Sequence, residues 1–315
     1  MTDSDRVDWV CFPYQKSKCV MSTRARSSSR RRSASKSVSP KPRKASTSIK
    51  VNGLSVVVPT YNETLNIRPL CERLFASMKK QNASLPVELL YVDDESVGTK
   101  QTLAIVKELE KEGYPVRIHS RKKSEGRGLS SAVLLGFHKA KYEAILCMDA
   151  DLQHEPEAVY SVALPVLEAR AEFTVGSRYV GGGGFGFDWA LHRRLISSGA
   201  TMLAAGVSRS SDPMSGFFCT TKAVLARGAK SINPIGFKIG LEVMARCRAH
   251  PVVDVPITFQ SRIAGESKLT MKQNVQYLQQ LAALYWDNHA VVLLVLFAIM
   301  FFAVVRVGLW LAALQ

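Results

Sequence analysis

Apolar and polar positions along this chain alternate between two periods. Residues 54–59, LSVVVP, form a short valine-rich run that reads as a strand buried on both faces. An amphipathic stretch over 65–80 follows with helical spacing. The same couplet recurs. PVELLYVDDES (86–96) is a strand ending in two acids, followed by a helix over 98–111. PVRIHS (115–120) is a third strand, followed by a polar glycine-containing loop over 121–128 and a helix to about 141. Residues 144–148 give a fourth strand, Pro156 opens a helix to about 170, and AEFTVGS gives a fifth strand. Strand and helix thus alternate four times, which predicts an α/β fold with a mainly parallel sheet covered on both faces.

The second half is less regular. Gly181–Gly184 is a glycine run, and WALHRRLISSGATMLAAG reads as a helix with basic residues near its start. DPMSGFF leads into a strand, GFKIGLEVMARC is an amphipathic helix, PVVDVPITFQSR is a broken extended stretch and AGESKL is a polar loop. Residues 271–289 mix glutamines with leucines and predict a helix lying in a membrane interface. From Ala290 to Leu314 the chain is apolar apart from Arg306, long enough to cross roughly 30 Å of hydrocarbon as a helix. Arg306 would snorkel to the far interface or pair with an acidic group of another membrane subunit.

Charge changes the picture at the N-terminus. The first 50 residues hold 13 of the 42 Lys/Arg and 3 of the 26 Asp/Glu, so +10 of the net +16 belongs to them. A stretch such as SSSRRRSASKSVSPKPRKASTS is too polar to fold and predicts a disordered tail over 1–50. The tail serves either as a solvated leader or as a phosphorylatable arm on anionic lipid. No apolar segment there resembles a signal peptide. The remaining chain is only +6 and carries no nucleic-acid-binding motif, which argues against a nucleic-acid-binding module. Six scattered cysteines without a C-x-x-C suit a reducing compartment, and the N-x-S/T triplets at Asn62 and Asn82 read as chance.

The candidate chemistry gathers at three predicted strand ends: Pro59–Glu63, Asp93–Ser96 and Asp149–Gln153. Ligands of open α/β sheets bind at that edge. Within CMDADLQHEP, Asp149 and Asp151 lie at strand spacing, so their side chains point the same way. Like charges held close need a neutraliser, and a hard divalent cation is one; the plainer alternative is a carboxylate favouring the dipole of the helix that opens at Pro156. Neither a dinucleotide glycine fingerprint nor a P-loop follows the first strand.

VVPTYNE, VDDES, RGLSSA, MDADLQHEP, GSRY, RRLISSGA, DPMSGFF and SRIAGESKL occur in this order between residues 54 and 269. Together they resemble glycosyltransferase family 2. The resemblance implies a GT-A catalytic domain over 51–270, with a Rossmann-like, mainly parallel sheet of the nucleotide-diphospho-sugar transferase type, and the apolar run over 290–314 adds a C-terminal transmembrane helix after it. It implies transfer of mannose from GDP-mannose to dolichyl phosphate with inversion, the β-linked product serving N-glycan, O-mannose and GPI assembly. Mg²⁺ or Mn²⁺ is the implied cofactor, on Asp149 and Asp151 with Gln153 adding a neutral oxygen. Pro59, Tyr61, Glu63, Val92, Asp94 and Ala150 would line the nucleotide pocket by the same resemblance. Glu95 stands where the family has glycine, and RGLSSA departs from the usual G-L-G-x-A.

A lipid phosphate is already an anion and needs no general base, so the search is for phosphate-holding cations. Arg178, and Arg194 with Ser198 one helical turn later, fit that task, since arginine's fork matches phosphate oxygens. Arg262 and Lys268 bracket a loop able to close over a diphosphate, and Lys238 is a further cation for the donor side. Plainer roles stand beside these: edge packing for Tyr61, helix capping for Asp93 or Asp94, a solvated face for Arg193 and Arg194, and exposure for Lys238. Glucose transfer from UDP-glucose, a non-catalytic scaffold and a nucleic-acid binder are the competing functions. The expected setting is the endoplasmic reticulum membrane with the catalytic domain facing the cytosol, with small membrane subunits as possible partners.

Overall fold

The computed structural model describes residues 51–186, 191–261 and 271–312. The basic tail, Arg262 and Lys268 lie outside the described residues. The strand-helix couplets stand where the pattern placed them: β1 (Leu54–Thr60), α1 (Ile67–Asn82), β2 (Val87–Asp93), α2 (Thr99–Lys111), β3 (Val116–Ser120), α3 (Leu129–Lys139), β4 (Ala144–Cys147), α4 (Val159–Leu167) and β5 (Phe173–Ser177). A two-residue β6 (Gly184–Phe185), α5 (Leu191–Ala204), β7 (Phe218–Thr221), α6 (Lys222–Gly228), α7 (Ile239–Arg246), β8 (Val252–Pro256), β9 (Thr258–Phe259) and α8 (Met271–Ala312) complete it.

Seven strands form one sheet in the order β3-β2-β1-β4-β7-β5-β8, and β6 pairs with β9 beside it. All pairings within the large sheet are parallel except those of β7, which runs antiparallel to both β4 and β5. Period-two alternation sorts the strand residues into two cores. Val56 and Val58 face α1, α2 and α4 through Leu70, Leu74, Val106 and Val162, whereas Val57 faces α3 and the later helices through Val133 and Phe137. Every position of β1 and β2 is buried, because helices cover both faces. On α3, Gly136 is required by close approach: a Cβ there would collide with Val57 and come within 3.0 Å of Val92. Cys71, Cys147, Cys219 and Cys247 are free and buried, and burial pushes their thiols up, Cys71 to about 12 and Cys247 to about 11.

The first part of α8 is more than an interfacial segment. Tyr277, Gln280, Leu281 and Leu284 are buried against the domain, while Val275, Leu278 and Trp286 on another face are about half exposed. Helical geometry breaks at His289 (φ −133°, ψ 20°), the boundary at which the apolar run begins. Side chains at many positions from 291 onward lie outside the description, and among the described residues no helix is long and apolar enough to cross a membrane. The span expected over 290–314 is therefore not a feature of the described fold.

Candidate functional site

The sheet order reverses between β1 and β4: the chain leaves β1 toward β2 and β3 on one side, and β4 opens the other side. Such a switch point leaves a crevice outside the carboxyl ends of the two strands. The three polar clusters at the ends of β1, β2 and β4 all border it, since Thr60 is level with Asp93 and Val57 with Cys147.

At the β1–β2 edge the two acids divide their work. Asp93 is buried and accepts hydrogen bonds from Ser96 Oγ (2.5 Å), Ser96 N (3.2 Å) and Thr99 Oγ1 (2.7 Å), so it pins the turn into α2. Asp94 accepts from Arg121 Nη1 (2.9 Å) and Gly128 N (2.8 Å), which ties the loop after β3 to the cleft. Arg121 is itself buried, burial lowers its pKa, and its Nε has no hydrogen-bond partner. Asp94, which the resemblance places in the nucleotide pocket, is thus engaged by its own chain. Tyr61 is 46 % exposed at the rim. Glu63 accepts from Asn66 Nδ2 (2.8 Å), and Pro59 is buried at the strand end. The Val92 side chain is fully buried and packs toward Gly136 in the core, so any part it has in the nucleotide pocket would be through its backbone. Glu95 adopts φ +56°, keeping the left-handed turn that glycine would take, and Asn62 opposite it has φ +57°. Cross-links from Asn62 N to Ser96 Oγ (2.8 Å) and from Val97 N to Asn62 Oδ1 (3.0 Å) lock the two loops together.

After β4 the chain turns sharply through Leu152, another left-handed residue at φ +61°. Asp151 is buried and accepts from Gln153 N (3.2 Å), whereas the Asp149 side chain is 38 % exposed. Ala150 is buried between them. His154 organises this turn. Its Nδ1 accepts from Asp149 N (3.2 Å), its ring lies 5.1 Å from that of Phe217 and 5.4 Å from that of Phe259, and burial lowers its pKa. Gln153 Nε2 donates to Gln260 O (3.0 Å), and Gln260 N donates back to Gln153 O (2.9 Å), clasping the turn to the segment after β9. Among the described residues no group of three His, Cys, Asp or Glu side chains could hold a metal ion. Two carboxylates fit a magnesium-type ion nonetheless, because such an ion uses one or two of them and takes its other oxygens from water and substrate phosphates. Gly216 keeps that space clear: a Cβ would sit 3.1 and 3.2 Å from the Asp149 carboxylate oxygens.

Within the field of Asp149 lie two basic side chains, Arg178 and Lys238, and a third acid, Asp212. Asp212, fully buried, accepts from Arg178 Nε and Nη2 at 2.7 Å each and from Arg178 N at 3.1 Å. The guanidinium also lies 5.2–5.6 Å from the rings of Tyr179, Phe185 and Phe259. Burial opposes its charge, but the Asp212 hydrogen bonds and charge outweigh that and raise its pKa. One full edge of the Arg178 guanidinium belongs to Asp212, which leaves at most its remaining donors for a phosphate. Lys238 Nζ donates to Met214 O (2.8 Å) and lies 4.5 Å from the Phe237 ring. Burial and the nearby Arg178 charge bring it down to about 8, against the opposing pull of Asp149 and Asp212. The sequence-nominated Lys238, Arg178 and Asp149 therefore share one field. Arg194 lies on α5 with its side chain outside the description, and Ser198 is exposed on that helix. Tyr179 ties the region together, its hydroxyl 3.2 Å from Ser197 Oγ. Sequence reasoning missed Asp212, Arg121 and His154. Asp212 and His154 lie inside quoted motifs, so the motifs themselves were the available signal; Arg121 carried none.

Acidic strand ends at a switch point, with the Arg178–Asp212 pair and Lys238 beside them, mark the candidate site of a GT-A fold. The glycosyl transferase family 2 model matches residues 55–228. The chain is 46 % identical over 236 residues to the dolichol-phosphate mannosyltransferase of Mycosarcoma maydis, covering 73 % of this chain and 78 % of that one. It is 45 % identical over 260 residues to the protein of that name from Saccharomyces cerevisiae, covering 79 % and 95 %. Among solved structures, mannosyl-3-phosphoglycerate synthase from Rubrobacter xylanophilus shares the fold at a TM-score of 0.53, with 16 % identity over 75 % of each chain. This chain belongs to glycosyl transferase family 2 and is a glycosyltransferase.

Proposed function

We propose that the chain transfers mannose from GDP-mannose to dolichyl phosphate and releases dolichyl β-D-mannosyl phosphate and GDP. The observation that carries this reading is the 45–46 % identity, over most of the chain, to proteins named dolichol-phosphate mannosyltransferase. The site supports it. The nucleotide would lie against Tyr61 and the β1–β2 edge, and its diphosphate would reach Asp149 and Asp151. A bound Mg²⁺ or Mn²⁺, with Gln153 as a neutral third ligand, would stabilise the charge of the departing diphosphate. Lys238 supplies positive charge from the chain itself within the field of Asp149. Arg194 and Ser198 on α5 would hold the lipid phosphate, with Arg178 behind them, and Arg262 and Lys268 would close over the donor. In-line attack by a phosphate oxygen on the anomeric carbon inverts it and breaks the bond to the diphosphate, so no side chain has to take a proton.

In this reading residues 290–314 cross the membrane. A 23-residue helical backbone from Ala290 to Ala312 would reach about 34 Å at 1.5 Å per residue. Leu294, Ile299 and Phe302 are more than half exposed and would meet lipid, as would Val275, Leu278 and Trp286 at the surface. The catalytic domain then faces the cytosol at the endoplasmic reticulum, with any small membrane subunits alongside.

The test compares radiolabelled GDP-mannose with UDP-glucose, each offered with dolichyl phosphate in detergent, with and without EDTA. Metal-dependent transfer from GDP-mannose alone is expected. Asp151→Ala should lower it by about a thousandfold, the scale for removing electrostatic stabilisation of a transition state. The same variant should lose the Mn²⁺ binding seen by electron paramagnetic resonance in the presence of GDP. Transfer from UDP-glucose alone would overturn the donor.

A further inference from the structure

The helix assigned to the lipid phosphate, α5, is not held by its own turn alone. Three side chains of α8 reach carbonyls along its C-terminal end. Tyr277 Oη donates to Ala200 O (2.7 Å), Tyr285 Oη donates to Leu203 O (2.9 Å), and His289 Nε2 lies 2.9 Å from Gly206 O. A carbonyl only accepts, so His289 must carry its proton on Nε2 for the third bond. The last carbonyls of a helix have no partner within it, and Leu203 O and Gly206 O fall in or just beyond that region. Gly206 lets the contact close: a Cβ there would sit 2.5 Å from Tyr285 Oη. The Tyr285 and His289 rings are 5.9 Å apart, and His289 is the residue at which α8 loses helical geometry. The bend in α8 is therefore fastened to the end of α5.

We propose that Tyr277, Tyr285 and His289 are positioning residues that set where α5 presents its phosphate-binding face. They act on the acceptor side of transfer, through α5, and leave the donor side alone. The inference rests on the assignment of Arg194 and Ser198 to the lipid phosphate. A hydroxyl on Ala200 O acts two residues from Ser198, so a shift of the helix moves the phosphate site directly. The nucleotide side hangs on the ends of β1, β2 and β4, and the three hydrogen bonds from Tyr277, Tyr285 and His289 go to α5 and Gly206 just beyond it.

The experiment uses the full chain in detergent with GDP-mannose and a short-chain, water-soluble polyprenyl phosphate, so that lipid insertion does not enter the readout. Tyr277→Phe/Tyr285→Phe is expected to raise KM for the phosphate acceptor about tenfold, the order of two lost hydrogen bonds, with KM for GDP-mannose unchanged within twofold. His289→Ala should act in the same direction, and His289→Gln, which retains a donor, should restore the acceptor KM. Hydrogen exchange of the α5 amides should quicken in the double variant while that of β1 and β2 stays the same. Equal changes in both KM values, no change in either, or no rescue by glutamine would overturn the proposal. A wild type that transfers no mannose would instead overturn the functional reading beneath it. In that case exchange confined to α5 still supports the tether, and exchange spread over the whole domain refutes it.

Discussion

Glu95 and Lys238 each sit in a conformation or field that their chemistry resists. Glu95 occupies φ +56°, where a residue with a Cβ is strained by about 1–2 kcal/mol. The wild-type side chain recovers some of this through its ion pair with Arg127. Comparing Glu95→Gly with Glu95→Ala removes that pair from both, and the glycine variant should be the more stable by about 1 kcal/mol in urea unfolding. An alanine variant of equal stability would show that the turn relaxes out of the left-handed region.

Lys238 is held down to about 8 against an ordinary 10.5. Below pH 8 the lysine is charged in both folded and unfolded chains, so the full penalty for burying that charge is present. Between about 8 and 10.5 the unfolded chain binds the proton more tightly, and stability rises with pH as the penalty is relieved. Lys238→Met should accordingly stabilise the fold more at pH 7 than at pH 10. Catalysis should move the other way. If the ammonium holds the donor diphosphate, kcat/KM for GDP-mannose falls as pH rises through about 8, and the fall disappears in Lys238→Arg, whose guanidinium stays charged.

At the scale of elements, α3 lies directly on the middle of the sheet because Gly136 has no side chain. Gly136→Ala forces a methyl into Val57 on β1 and Val92 on β2, and should destabilise by about 1–3 kcal/mol, read as a lowered urea midpoint with an unchanged slope. Because β1 and β2 carry the nucleotide edge on their ends, the same variant should weaken GDP binding. The element scale is also where the sequence was most readable. β1, β2 and β4 announce themselves as continuous buried runs, and α1 by Ile67, Leu70, Leu74 and Met78 at helical spacing. β6 and β9 are two residues each, too short for any period to register. Alternation puts the Val92 side chain on the face opposite Asp93, a difference that the motif containing both hides. The direction of β7 leaves no local trace, since a four-residue apolar strand reads the same either way. Asp212 and Arg178 are 34 residues apart, and only that reversal brings them together.

At the scale of the whole molecule, the order of the strands in space differs sharply from their order in the chain. Residues 54–120 complete β1, β2 and β3, and these can pair as soon as they exist. The other side of β1 then waits for Ala144–Cys147, and β4 in turn waits for Phe218–Thr221. During vectorial synthesis the growing chain therefore carries an apolar, unpaired strand edge at what will become the centre of the sheet. Edges of that kind pair readily with other chains, and contacts so distant in sequence form slowly. A ribosome that stalls between residues 120 and 144 would release an intermediate whose most adhesive surface is the strand that later carries Tyr61 and Glu63. Early helpers of this protein's folding should be sought at that edge.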